Sequence, residues 1–174
     1  MSEQLRYPIG RFERPGVFDP SQLRQFINEI EKFPGRLVAQ VGPMTPTQQN
    51  QTYRPEGWTA RQVVHHCADS HLNAFTRFKL ALTEDMPTIK PYMEALWAEQ
   101  TDYNVPVVHS IKIIEGLHYR WTALLKNMSA SDFEKKYFHP EMEKEWNLYE
   151  VVALYAWHCN HHLGHVRIVA ERRD

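Results

Sequence analysis

The chain is poor in cysteine, in long apolar runs and in excess charge of either sign, and each shortage removes a class of function. Two cysteines, Cys67 and Cys159, in 174 residues are too few for a disulfide framework and suit a reducing compartment. No window approaches the ~20 consecutive apolar residues of a membrane span. The opening MSEQLRYPIGRFERPG sets charges and prolines where a secretory leader needs a continuous apolar stretch. A soluble, cytoplasmic protein with no membrane partner is expected. Lys plus Arg (20) nearly balance Asp plus Glu (21), leaving a formal net charge of -1 and no basic stripe, which argues against nucleic acid as the main partner. The HExxH signature is absent, so nothing suggests a metalloprotease. There is no internal repeat and no low-complexity segment, and the length suits one domain spanning 1–174.

What is present is helical periodicity. Asp19 before Pro20 suits an N-cap followed by proline at the first helical position, and Leu23, Phe26, Ile27, Ile30, Leu37 and Val41 follow at helical spacing. Pro34-Gly35 is expected to kink or interrupt that helix. PMTPTQQNQTYRPEG reads as a loop with room for a short helical turn. Thr59 and Gln62 form a capping box for a second helix that meets no proline or glycine before Met86-Pro87. A short helix, Tyr92 to Gln100, sits in the crossover to a third helix, about Val107 to Asn127. KKYFHPEMEKEWN, broken by Pro140, reads as an irregular or extended excursion. Asn147 and Glu150 then cap a fourth helix reaching about Arg172, with Arg167, Arg172 and Arg173 near its C-terminal end. Four long helices without strand signal give an all-α fold class, a four-helix bundle with long crossover connections, and it is the long second connection that suggests crossover rather than up-and-down topology.

Ten histidines stand against this background, four of them inside WHCNHHLGH, Trp157 to His165. Steps of three and four trace an inward stripe Val151, Leu154, Tyr155, His158, His162, Val166, Val169, so two imidazoles fall where apolar residues belong. Residues four apart share a helical face with Cβ atoms roughly 5–6 Å apart, close enough to converge on one ion. His165 flanks the same face. The competing reading is a set of hydrogen-bonded interior histidines, each needing its own polar partner. The second helix offers a third ligand in VVHHCADSH: the stripe Val63, His66, Ser70, Ala74, Arg77 selects His66, because adjacent His65 is rotated about 100° from it. Three neutral imidazoles plus water is the pattern of catalytic rather than structural zinc, and such an ion activates water or a thiol at neutral pH. Cys67 and Cys159 each follow a candidate ligand by one residue, which turns them off the ligand face and marks them as packing residues. Asp69 reads as a solvated helix aspartate, with a carboxylate orienting an imidazole as its alternative. His71, His109, His118 and His139 have no comparable partner spacing, and no catalytic residue is assigned.

RYPIGRF, GWTARQVVHHCADSH with RFKLALTE, LHYRWTALL and WHCNHHLGH together resemble the DinB-like superfamily, in the branch of metal-dependent hydrolases, in the same order over nearly the whole chain. Residue by residue, the resemblance places the helix-two ligand on His66 and the HxxxH pair on His158 and His162. It implies a four-helix bundle with crossover connections, one divalent metal ion per chain, zinc or nickel, open metal positions and a homodimer. Wider relatives carry glutamine where this chain has His165, which leaves that residue as fourth ligand, water partner or neither. Relatives that transfer a low-molecular-weight thiol such as bacillithiol or mycothiol make thiol S-transfer the alternative to hydrolysis of a small-molecule substrate. The rival from another class is a non-catalytic module stapled by its ion, which chelation would destabilise.

Overall fold

The computed structural model describes residues 2–172. Helix α1 is Ser2–Arg6, and α2, Pro20–Val41, opens on Asp19, whose carboxylate accepts from the Ser21 N–H at 2.7 Å. The buried face of α2 is Leu23, Ile27, Ile30, Phe33, Leu37 and Val41, spaced by threes and fours. Pro34 does not break it, contrary to the sequence expectation. Proline has no N–H to give the carbonyl four residues earlier, and the Ile30 carbonyl finds another donor instead, the His118 ring at 2.6 Å.

One-turn helix α3, Pro46–Gln49, interrupts the loop, and α4, Ala60–Thr83, starts on the expected capping box, Thr59 Oγ1 accepting from Gln62 N–H while the Gln62 side chain accepts from Thr59 N–H. The crossover carries the expected short helix in shortened form, α5, Glu94–Trp97, followed by a 3-10 turn, Thr101–Asn104. Then come α6, Val108–Lys126, and short α7, Ala130–Glu134. The charged excursion is more regular than its composition suggested: β1, Lys136–His139, pairs antiparallel with β2, Lys144–Asn147, in the register Tyr137 to Trp146. The hairpin also ties down the crossover, since Ile89 N–H donates to the Phe138 carbonyl and Phe138 N–H to that of Pro87. Helix α8, Leu148–Ala170, begins at the Asn147–Glu150 capping box. Arg172 donates to the carbonyls of Thr52 and Tyr53, whereas Arg173 lies outside the described residues.

Helix α2 packs on α6 and α8, and α4 packs on the same two, so the ring order is α2, α6, α4, α8. The successive long helices α2 and α4 lie across a diagonal, as do α6 and α8, so the bundle has crossover topology, but its crossings are the first and third connections, while the long second one joins the neighbours α4 and α6. One core fills the ring, with Phe33 from α2, Phe78 from α4, Trp121 from α6 and Leu148 from α8 fully buried. Helix α8 is buried on almost every side, so the stripe traced from its sequence is only part of its contact surface. No helix among the described residues is long and apolar enough to cross a membrane.

Candidate metal centre

The ring order sets α4 beside α8, and the phase of each helix does the rest. His66 Nε2 lies 3.3 Å from His158 Nε2, and His162 Nε2 lies 3.2 Å from the same atom. Of the His65–His66 pair, the structure brings His66 to this cluster, the member on the stripe traced from the sequence. His65 turns away and uses both its nitrogens elsewhere, on Ser110 Oγ at 2.7 Å and the Val105 carbonyl at 3.1 Å.

Three converging nitrogens invite a test against a cation. Around tetrahedral zinc, bonds of about 2.0–2.1 Å set the ligand nitrogens about 3.3–3.4 Å apart, and the two observed separations match. Protonation does not compete at neutral pH. Burial is the first cause of the lowered His66 value, about 4, with the His165 charge second. Burial likewise holds His158 and His162 well below the ordinary histidine range, reinforced by the surrounding imidazoles. All three therefore offer free lone pairs.

The cluster floors a cavity of about 430 Å³. Its walls are aromatic and cationic: Trp58 packs on His66 at 4.7 Å between ring centroids, Trp157 stacks on His161 at 4.3 Å, and Tyr53 stacks on His165 at 3.8 Å. Arg6, Arg54 and Glu94 also line it. The N-terminal segment reaches this wall because Gly164 leaves a notch in α8. A Cβ there would stand 2.7 Å from Pro8 Cγ. Gly164→Ala is therefore expected to push Pro8 off α8 and to cost about 1–3 kcal/mol, read by urea unfolding, with faster proteolysis between residues 5 and 15.

The remaining sequence assignments divide. Cys67 and Cys159 are buried free thiols whose burial pushes them up, as packing residues should be. Asp69 orients no imidazole; its carboxylate accepts from the Tyr103 hydroxyl at 2.6 Å. His165 does not join the three-nitrogen cluster. Its Nε2 donates to the Arg6 carbonyl at 3.2 Å, and its Nδ1 lies 3.3 Å from His162 Nδ1. Sequence reasoning missed His71 and His118, which lie fully buried behind the cluster. His71 is five positions after His66 and His118 is on another helix, so no spacing rule connects them; the one available signal was Pro34, whose missing N–H leaves a core carbonyl wanting a donor.

The chain can now be compared with known proteins. The model of the DinB superfamily matches residues 29–166. The chain belongs to the DinB superfamily. Within it, this member is 44% identical over 169 residues to a protein of Oceanobacillus iheyensis named "Putative metal-dependent hydrolase", covering 97% of this chain and 98% of that one. A protein of the same name from Halalkalibacterium halodurans is 43% identical over 162 residues, covering 93% and 94%. Among solved structures, YfiT from Bacillus subtilis, described as "a probable metal-dependent hydrolase with an unusual four-helix bundle topology", superposes with a TM-score of 0.94 at 39% identity, covering 97% of each chain. The superposition on YfiT agrees with the four-helix bundle described above.

Proposed function

We propose that the protein is a metal-dependent hydrolase acting on a small molecule, with one divalent cation held by His66, His158 and His162. The observation that carries this reading is the convergence of three neutral imidazole nitrogens, from buried His66 and His162 and half-buried His158, at separations of 3.2 and 3.3 Å on the floor of a cavity. The names of the relatives support it. When bound by three imidazoles, zinc or nickel supplies a Lewis acid that lowers the pKa of water and polarises a substrate oxygen.

The chain's own residues frame the substrate. A cavity of about 430 Å³ falls in the range of small-ligand sites, roughly 300–1,000 Å³, which supports a small-molecule substrate. Trp58 and Trp157 offer flat apolar walls that keep bulk water from the reacting atoms, and Arg6 and Arg54 orient an anionic group. Glu94 is a cavity-lining carboxylate able to take a proton. The two arginines also favour a second reading, transfer of an anionic low-molecular-weight thiol, because the chain's own thiols are buried.

Protein purified without an affinity tag should carry about one equivalent of zinc or nickel per chain. His158→Ala and His162→Ala should each reduce that to less than roughly a tenth, because two imidazoles leave a divalent ion mostly hydrated. Full occupancy in both variants, with folding intact by circular dichroism, would overturn the ligand set. Turnover of an ester and amide panel without added thiol supports hydrolysis; turnover only with a thiol present replaces it by thiol transfer.

A further inference from the structure

Behind the cluster the hydrogen bonds run in one direction, and the direction can be read without seeing a hydrogen. A carbonyl oxygen only accepts, so the bond of 2.6 Å from His118 Nδ1 to the Ile30 carbonyl puts the His118 proton on Nδ1. Neutral His118 then presents a bare Nε2, which His71 Nδ1–H must supply across 2.7 Å. His71 Nε2 is bare in turn, and His158 Nδ1–H must supply it across 3.0 Å. That leaves His158 Nε2 unprotonated and aimed at His66 and His162. The same logic holds on the other side. His165 Nε2–H donates to the Arg6 carbonyl at 3.2 Å, its bare Nδ1 accepts from His162 Nδ1–H at 3.3 Å, and His162 Nε2 is left bare.

We propose that His71 and His118 on one side, and His165 on the other, are positioning residues. They form two one-way imidazole relays, each anchored on a backbone carbonyl, that lock His158 and His162 in the tautomer whose Nε2 is free to ligate. This rests on the ligand set proposed above. Pro34 is the origin of the longer relay: with no N–H at position 34, the Ile30 carbonyl is free for His118. A metal-bound imidazole ordinarily finds a carboxylate, carbonyl or water for its second nitrogen, and here the intermediaries are further imidazoles, in a core where the described residues place no carboxylate on them. His71, His118 and Cys159 also lie close enough together to suggest a second ion, as do His161, His162 and His165. The 2.7 Å between the His71 and His118 nitrogens is shorter than the about 3.3 Å set by a shared zinc and is an ordinary hydrogen bond, whereas the 3.3 Å between His162 Nδ1 and His165 Nδ1 fits either, and a proton on His162 Nδ1 distinguishes the bond from an ion there.

The metal-free wild-type protein, labelled with nitrogen-15, tests the relay without any ion. Long-range proton–nitrogen spectra should show His71, His118, His158 and His162 protonated on Nδ1, and His165 on Nε2. His118→Leu removes the acceptor for His71, so the His71 proton should move to Nε2 and that of His158 to its own Nε2. Zinc affinity, measured by chelator competition, should then fall roughly 10–100-fold. His118→Gln, whose amide can both donate to Ile30 and accept from His71, should restore the wild-type pattern and most of the affinity. Wild-type His158 carrying its proton on Nε2 would overturn the proposal, as would unchanged zinc affinity in a folded His118→Leu. A second zinc equivalent lost in both His118→Leu and Cys159→Ala would replace it by a second metal site. If the wild type bound no zinc at all, the ligand set would fail, while the tautomer pattern would still decide the relay.

Discussion

Taken from about pH 7.5 to about pH 5, the metal-free protein is expected to unfold, because the histidines in and behind the cluster are held neutral by burial and must charge on release. His66, His118 and His165 are each lowered to about 4, with desolvation as the first cause in all three. In the unfolded chain each returns to an ordinary value near 6.5. Between those values the unfolded chain binds more protons than the native one. Stability is therefore whole above about pH 6.5 and drains away as pH falls toward about 4. At pH 5 each group favours unfolding by about 2 kcal/mol. Three such groups together reach about 6 kcal/mol, which rivals the total stability of a domain, ~5–15 kcal/mol. His71, His158, His161 and His162 are lowered as well, burial again coming first, and act with the same sign. Circular dichroism at 222 nm against pH, with chelator present, should show a cooperative loss of helix between about pH 6 and pH 4.5. Saturating zinc should move that transition to lower pH, because proton and ion compete for the same nitrogens. A protein that kept its helices and tertiary packing at pH 4.5 would contradict the burial of this cluster.

Trp121→Ala should be the most damaging single truncation in the core. The indole is fully buried and packs on Phe78 at 5.4 Å, Tyr155 at 5.3 Å, His118 at 6.0 Å and His71 at 6.3 Å between ring centroids. Its removal leaves a hole where α6 meets α4 and α8, at a cost of about 3–5 kcal/mol. For a chain of this size that corresponds to a fall in Tm of roughly 6–20 °C. Trp121→Phe is the informative control. The indole Nε1 finds no acceptor among the described residues, so phenylalanine forfeits packing and no hydrogen bond. Differential scanning calorimetry should rank the two variants far apart. A fall of less than about 1 kcal/mol for Trp121→Ala would mean that the three helices do not meet on this ring.

The bundle was legible in the sequence for particular reasons. Thr59 with Gln62 and Asn147 with Glu150 announce two helix starts, and the threes and fours of Leu23, Ile27, Ile30, Leu37 and Val41 show one buried face. The cluster was legible because an i, i+4 pair and a phase argument are both local: His158 and His162 share a face, and His66 lies on the stripe of Val63 and Ser70. Three features were not legible, for one shared physical cause. The continuity of α2 through Pro34 depends on His118 from another helix, the pairing of β1 with β2 depends on side chains packing beneath it, and the histidines behind the cluster depend on the ring order of helices. Each is a tertiary fact, decided by partners far along the chain, and pattern within a window carries none of them. His165 stands between these cases. Its place near the face of His158 and His162 was visible, whereas its acceptor, the Arg6 carbonyl, is 159 positions away.

The diagonal placement of successive helices also bears on how the molecule reaches its native state. Of the successive long helices only α4 and α6 are neighbours, so the encounters that complete the bundle join distant segments, such as His66 with His158 across 92 positions. Loop-closure entropy must be spent before such encounters are rewarded, which slows folding relative to a bundle of sequential neighbours. Two of the three converging imidazoles come from α8, so a chain in which that helix has not closed the ring holds α4 and its histidines but no site.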